Sequence, residues 1–152
     1  MTDDGPRTMA LQSVANRFVR TLLAAPLLSR VVGRQLITLY VVGRTSGKQY
    51  TVPVAFTRYE GRLLIGSPFA WGRNLRTGEP LEVRYRGRRQ TADVVVVDDE
   101  AGVVQYYGVI ARLNKTFARF NDLGHDAAGN PVEDDLHRAW AAGARVFLLT
   151  LP

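Results

Sequence analysis

The apolar pattern changes period at Leu36. From there, runs rich in β-branched and aromatic residues follow one another: Leu36 to Val42, Tyr50 to Tyr59, Arg62 to Ser67, Leu81 to Arg86, Arg88 to Val97 and Arg145 to Leu151. Such runs suit a pleated, half-buried surface and predict six strands. The breaks at Glu60-Gly61 and Arg86-Gly87 are short, as hairpins require, and the longer one from Gly43 to Lys48 carries two glycines. Strands joined in this way make a mainly antiparallel sheet. Pro53 cannot donate to a ladder, which places its strand at an edge or at a bulge. The last run, far from the others in sequence, is expected to pair back onto an early strand and close a small barrel flanked by helices. The fold class is β-rich α+β.

Helical spacing governs the remainder. Leu11, Val14, Ala15, Phe18, Val19, Leu22 and Leu23 recur three and four apart, with Gln12, Asn16, Arg17 and Arg20 on the other side, and predict an amphipathic helix. Pro26 ends or kinks it, and Leu27 to Arg34 continues as an apolar segment. Burial against the sheet is the favoured fate of this stripe, and its basic flank also suits peripheral contact with anionic lipid. Asp98 to Glu100 starts a further helix with Val103, Val104, Tyr107, Ile110 and Ala111 on one face. Asn114 to Asp122 adds a second with Phe117 and Phe120, and the Gly- and Asp-rich stretch Leu123 to Asp135 reads as a loop before a short helix at Leu136 to Ala142. A chain of 152 residues is the size of one domain: 1–35 forms an N-terminal helical segment, and 36–152 the barrel with its helical insertions. Met1 to Arg7 carries Asp3 and Asp4 and leads into no unbroken apolar run, so neither a secretory leader nor a membrane span is expected. The cytoplasm is the expected compartment, with membrane association through the N-terminal helix as the second reading.

The net charge of +6 is unevenly spread, at +5 over residues 1–50, +4 over 51–97 and −3 over 98–152. Eighteen of the twenty basic residues are arginines, whose planar, forked donors suit phosphates and carboxylates. Charge alone is equally compatible with a solubilising surface. The arginines are scattered through strands and turns with no helix presenting a reading face, so nucleic acid is not an expected partner. The absence of cysteine removes disulfides, thiolate chemistry and cysteine-type zinc sites. His125 and His137 lie twelve apart, which is not metal-ligand spacing, and no metal site is expected.

Two segments carry residues suited to binding. Gly43-Arg44-Thr45-Ser46-Gly47-Lys48 offers backbone N–H groups, two hydroxyls and two cations in six residues, which can form a concavity for phosphate. A hairpin loop with solvated basic residues is the commoner meaning of such a turn. Gly66 to Leu75 follows a strong strand and brings Gly66, Ser67, Trp71, Arg73 and Asn74 together. Trp71 can pack on a flat ligand, or pair with Leu75 on a core-facing helical turn; for Trp71 these two readings are even.

Taken in order, Gly43-Arg-Thr-Ser-Gly-Lys-Gln-Tyr-Thr-Val-Pro53-Val54, then Gly66-Ser67-Pro68, then Trp71-Gly-Arg73-Asn74-Leu75, and finally Val83-Arg-Tyr-Arg-Gly87-Arg88 resemble the deazaflavin-dependent nitroreductase family over about Leu36 to Val97. The resemblance implies a split β-barrel that binds coenzyme F-420, a 5-deazaflavin with a phosphodiester tail. It implies that Arg44, Thr45, Ser46, Gly47 and Lys48, with Tyr50, hold the phosphate. Pro53, Val54, Gly66, Ser67 and Pro68 would line the ring, beside Trp71, Arg73 and Asn74. Thr45 stands where family members often carry lysine or arginine, Tyr50 where they often carry arginine, and Pro68-Phe69-Ala70 replaces a common Gly-Gly-Pro element.

The implied reaction is hydride transfer from the reduced deazaflavin to a planar acceptor of quinone, nitroaromatic or enone type. Such an enzyme needs to orient two flat molecules and exclude water, and needs no cysteine or metal. Ser67 is the candidate catalytic donor, and Tyr106, Tyr107, Phe117 and Phe120 are candidates to roof the acceptor pocket, although core packing is the more general use of each ring. An FMN-binding barrel is the alternative that the same basic turn serves, and a non-enzymatic carrier or membrane-surface binder is a further one. Apolar barrel edges also invite a homodimer.

Overall fold

The computed structural model describes residues 35–152. The predicted helix at Leu11 to Leu23 and the segment up to Arg34 lie outside the described residues. Seven strands form one sheet: β1 (Leu36–Val42), β2 (Gln49–Ala55), β3 (Thr57–Tyr59), β4 (Arg62–Ser67), β5 (Leu81–Tyr85), β6 (Arg88–Val97) and β7 (Arg145–Thr150). Their spatial order is β2-β1-β5-β6-β7-β4-β3, and every neighbouring pair is antiparallel. A 3-10 turn spans Ala70–Asn74, and the helices are α1 (Glu100–Leu113), α2 (Lys115–Phe120) and α3 (Glu133–Ala141).

The single strand expected over Tyr50 to Tyr59 is two strands, broken at Phe56. Its N–H donates to the Gln35 carbonyl at 2.8 Å, outside either ladder, and its ring is buried in the barrel. The chain thereby crosses from one end of the sheet to the other. No ladder joins β2 to β3 among the described residues, so the barrel is a split one, a curled half-barrel sheet with two edges. Pro53 sits opposite Thr38 in β2, an outermost strand, as a residue without an N–H requires. The last strand pairs with β4 as expected and also with β6.

Side-chain alternation sorts the apolar residues into two layers. Ile37, Leu39, Val41, Val83, Val94, Phe147 and Leu149 fill the inside of the curl with Leu63 and Ile65. Leu64, Val146 and Leu148, on the opposite face, meet Val103, Tyr107, Ile110, Ala118 and Leu136 from the helices. Strands β4 and β7 are thus buried on both sides, which is why they read as continuous apolar runs.

The helices begin where side chains can satisfy their first N–H groups. Asp99 accepts from Gly102 N at 3.0 Å at the start of α1, and Asn114 accepts from Phe117 N at 3.1 Å at the start of α2. Helix α3 starts three residues before the predicted Leu136, because Glu133, Asp134 and Asp135 in its first turn complement the positive end of the helix. His137 on α3 pairs with Glu100 of α1 at 2.9 Å, and this contact, with Glu133 as a lesser one, raises the imidazole pKa above its ordinary value.

Gly66 of β4 fixes how closely the helices approach. A Cβ there would lie 2.8 Å from a Tyr107 ring carbon and 2.9 Å from one of Phe117. We expect Gly66→Ala to destabilise the fold by about 1–3 kcal/mol through overpacking, read from urea unfolding; a change below about 0.5 kcal/mol, the range of inert surface substitutions, contradicts this packing account.

Candidate functional site

The turn between β1 and β2 is closed by its own backbone. Gly43 N donates to the Lys48 carbonyl and Gly47 N to the Gly43 carbonyl, both at 2.8 Å. Gly47 takes a φ of 70°, where a Cβ would be strained. Inside the turn, the Ser46 Oγ accepts from Lys48 N at 3.2 Å and lies 3.4 Å from the Tyr50 hydroxyl. The consecutive N–H groups of Thr45 and Ser46 have no partner among the described residues. All six residues from Arg44 to Gln49 are exposed.

This turn is fastened to the Ala70–Asn74 turn. Arg44 N donates to the Asn74 Oδ1 at 3.0 Å, and the Asn74 Nδ2 donates to the Trp71 carbonyl at 3.0 Å. One amide side chain therefore sets the spacing between two segments thirty residues apart. The Arg44 guanidinium forms an ion pair with Glu79, in the loop that follows. That loop is itself pinned to β6, through Gly78 N to the Val94 carbonyl and Val96 N to the Thr77 hydroxyl.

The predicted residues divide into three groups. Arg44, Thr45, Ser46, Gly47, Lys48 and Tyr50 share the hairpin turn, with Asn74 beside it. Trp71 is half-buried and packs on the barrel core, its ring centroid 5.2 Å from that of Phe147, as the core-facing reading expects. Gly72 has no room for a Cβ because the Phe147 ring lies against it. Val54 is half-buried against the barrel core, and Pro53 alternates to the other face of the edge strand. Arg73 is exposed and Pro68 is exposed.

The third group starts at β4, where Gly66 faces the helices and Ser67 alternates to the inner face with Ile65. Ser67 is buried, and its Oγ accepts from Phe69 N at 3.1 Å, fixing the bend that leads into the Trp71 turn. The close approach permitted by Gly66 is made by Tyr107 and Phe117, whose rings pack edge to face at 5.1 Å. Tyr107 is fully buried, Tyr106 and Phe117 are half-buried in the same layer, and Phe120 is exposed. The Tyr107 hydroxyl has no hydrogen-bond partner among the described residues, and burial pushes its pKa well above the usual tyrosine value. Among the described residues no three His, Asp or Glu side chains are arranged to hold a metal, and no helix is long and apolar enough to cross a membrane.

Two participants escape a reading of the sequence. Glu79 has no spacing relation to Arg44, and Phe147 reaches Trp71 only because β7 inserts between β4 and β6.

Asn74→Ala removes the side-chain bond between the two turns and the one to the Trp71 carbonyl that orients it. The expected loss is about 1 kcal/mol of stability, with faster hydrogen exchange at the Arg44 amide; unchanged exchange there contradicts the coupling. Tyr107→Phe removes an unpaired buried hydroxyl while keeping the ring, so stability should hold or rise by about 1 kcal/mol in thermal unfolding. A drop would show that the hydroxyl has a partner.

No protein-family model matches the chain, and no curated protein matches it in sequence. Solved structures do. A pyridoxamine 5′-phosphate oxidase-related, FMN-binding protein from Nostoc punctiforme superposes with a TM-score of 0.51 at 14% identity, covering 80% of this chain and 74% of that one. HutZ from Vibrio cholerae, described as a heme storage protein, gives a TM-score of 0.50 at 14% identity over 84% of this chain and 89% of that one. At this identity the likeness is one of architecture, and it agrees with the strand order: the described residues adopt the split-barrel-like β-rich α+β fold.

Proposed function

We propose that this protein is a split-barrel oxidoreductase that binds a cofactor of the flavin class, FMN or a 5-deazaflavin such as F-420, through the turn at Gly43 to Lys48. The observation that carries this reading is the hydrogen bond from Arg44 N to Asn74, which sets the exposed Gly43 to Lys48 turn beside the Trp71 segment. A cofactor with an anionic tail and a flat ring needs such an arrangement.

The turn fits a phosphate on three counts. The adjacent Thr45 and Ser46 N–H groups are free to donate, their hydroxyls are exposed, and Lys48 is in no ion pair among the described residues. Against it stands Glu79, which already occupies the Arg44 guanidinium. A bound phosphate competes with that carboxylate, and the partly exposed pair is weak enough to yield.

When bound, such a cofactor supplies hydride transfer to a planar acceptor. The chain's own part is to hold and orient. Thr45, Ser46 and Lys48 hold the tail, while Asn74 keeps the Trp71 turn at a set distance from it. Trp71 offers a partly exposed indole stiffened by Phe147, a surface on which a flat ring stacks. FMN is favoured by the fold, since the Nostoc protein of the same architecture is an FMN-binding one. The deazaflavin is favoured by the ordered Gly-Arg-Thr-Ser-Gly and Trp-Gly-Arg-Asn-Leu elements, which the Arg44–Asn74 bond brings together.

Titrating the protein with FMN and with oxidised F-420, followed by ligand fluorescence, tests the proposal. One of the two should bind saturably. Lys48→Ala should weaken it about tenfold, the worth of one charged contact, and Glu79→Gln should tighten it severalfold by releasing Arg44. Binding of neither compound, or equal binding by the Lys48→Ala variant, overturns the reading.

A further inference from the structure

We propose that the cleft between the end of α1, α2 and the loop after it is a second anion site, which takes a small phosphate-bearing molecule. The cleft has a volume of about 420 Å³ and is lined by Arg112, Lys115, Arg119 and His125 above an apolar floor of Ala118 and Leu123. That volume falls in the range of small-molecule sites and far exceeds a single phosphate, which leaves room for an organic body on the floor.

The charge there runs against its surroundings. Residues 98–152 carry a net −3, yet three of their five basic residues meet in this one concavity. None of the three forms an ion pair among the described residues. Of the nearby carboxylates, the exposed Asp122 forms no ion pair among the described residues, and two others are committed elsewhere. Asp135 accepts from Gly124 N at 2.8 Å and pairs with Arg138, and Asp126 accepts from Ala128 N and Asn130 N at 2.9 Å each.

Local helix energetics make the arrangement costly. Lys115 follows Asn114, which both ends α1 and caps α2, so the opposed ends of two helices meet there and no acid stands in the first turn of α2 to pair with it. Lys115 and Arg119 are four apart on the same face, a like-charge pair that destabilises a helix. Arg112 at the end of α1 is favourably placed for that helix, but it adds a third cation to the same cleft. A bound polyanion removes all of these repulsions together. Two guanidinium forks and an ammonium match phosphate oxygens in number and geometry.

Inorganic pyrophosphate serves as the probe, added at constant ionic strength to the full chain. We expect a saturable rise in Tm, with amide shifts in an NMR titration centred on Lys115, Leu123 and Gly129. In the Arg112→Gln/Arg119→Gln double variant, whose exposed positions leave the core intact, the affinity should fall at least about tenfold for each arginine removed. A Tm rise that sodium chloride reproduces, unchanged affinity in the double variant, or shifts confined to Gly43 to Lys48 would each overturn the proposal.

Discussion

Strands β4 and β7 have no face that meets water. Leu63, Ile65, Phe147 and Leu149 point into the curled sheet, and Leu64, Val146 and Leu148 point at the helices. At roughly 1.5–3 kcal/mol for each large apolar side chain buried, covering both faces of this pair outweighs any single polar contact in the molecule, and it dictates the rest. Helix α1 lies across these two strands, and α2 and α3 pack against α1. At the far end of the sheet, β2 and the β1–β2 turn are free of this layer and expose polar and charged residues.

That division explains the composition of the candidate site. It is built on an edge strand, a six-residue turn and a short 3-10 segment, elements held by single side chains more than by apolar burial. Asn74 joins two of them, and Glu79 restrains the Arg44 cation of the turn. The Arg44–Glu79 pair gives the turn a resting partner that an anion can displace. Because both side chains are partly exposed, the exchange of one anionic partner for another costs little. The helical side carries its own uncompensated cations, at Arg112, Lys115 and Arg119, on surface that the two cores do not use.

Much of this architecture is legible in the residues themselves. Strands such as β1 and β6 show β-branched enrichment, and Gly61 and Gly87, each with a positive φ of 76°, mark the tight β3–β4 and β5–β6 hairpins. The break at Phe56 is not legible, since Tyr50 to Tyr59 keeps a strand-like composition throughout and only a tertiary hydrogen bond to Gln35 interrupts it. The two-segment site is legible as composition, but its spacing depends on where Asn74 reaches. Gly66 shows the limit of reading a residue by type: the room it leaves is taken by Tyr107 and Phe117 from helices forty and fifty residues away. Glycine signals a close approach without naming what approaches.

The proposed function requires one anionic tail to rest on the Gly43 to Lys48 turn while a flat ring lies beside Trp71. Backbone and indole NMR shifts during a titration with FMN, repeated with F-420, test this most directly. The Thr45, Ser46 and Asn74 amides and the Trp71 indole should move together with one binding curve, while the amides of Gly61 and Gly87 stay still. A curve in which Trp71 moves and the turn does not, or in which neither moves with either compound, would contradict it.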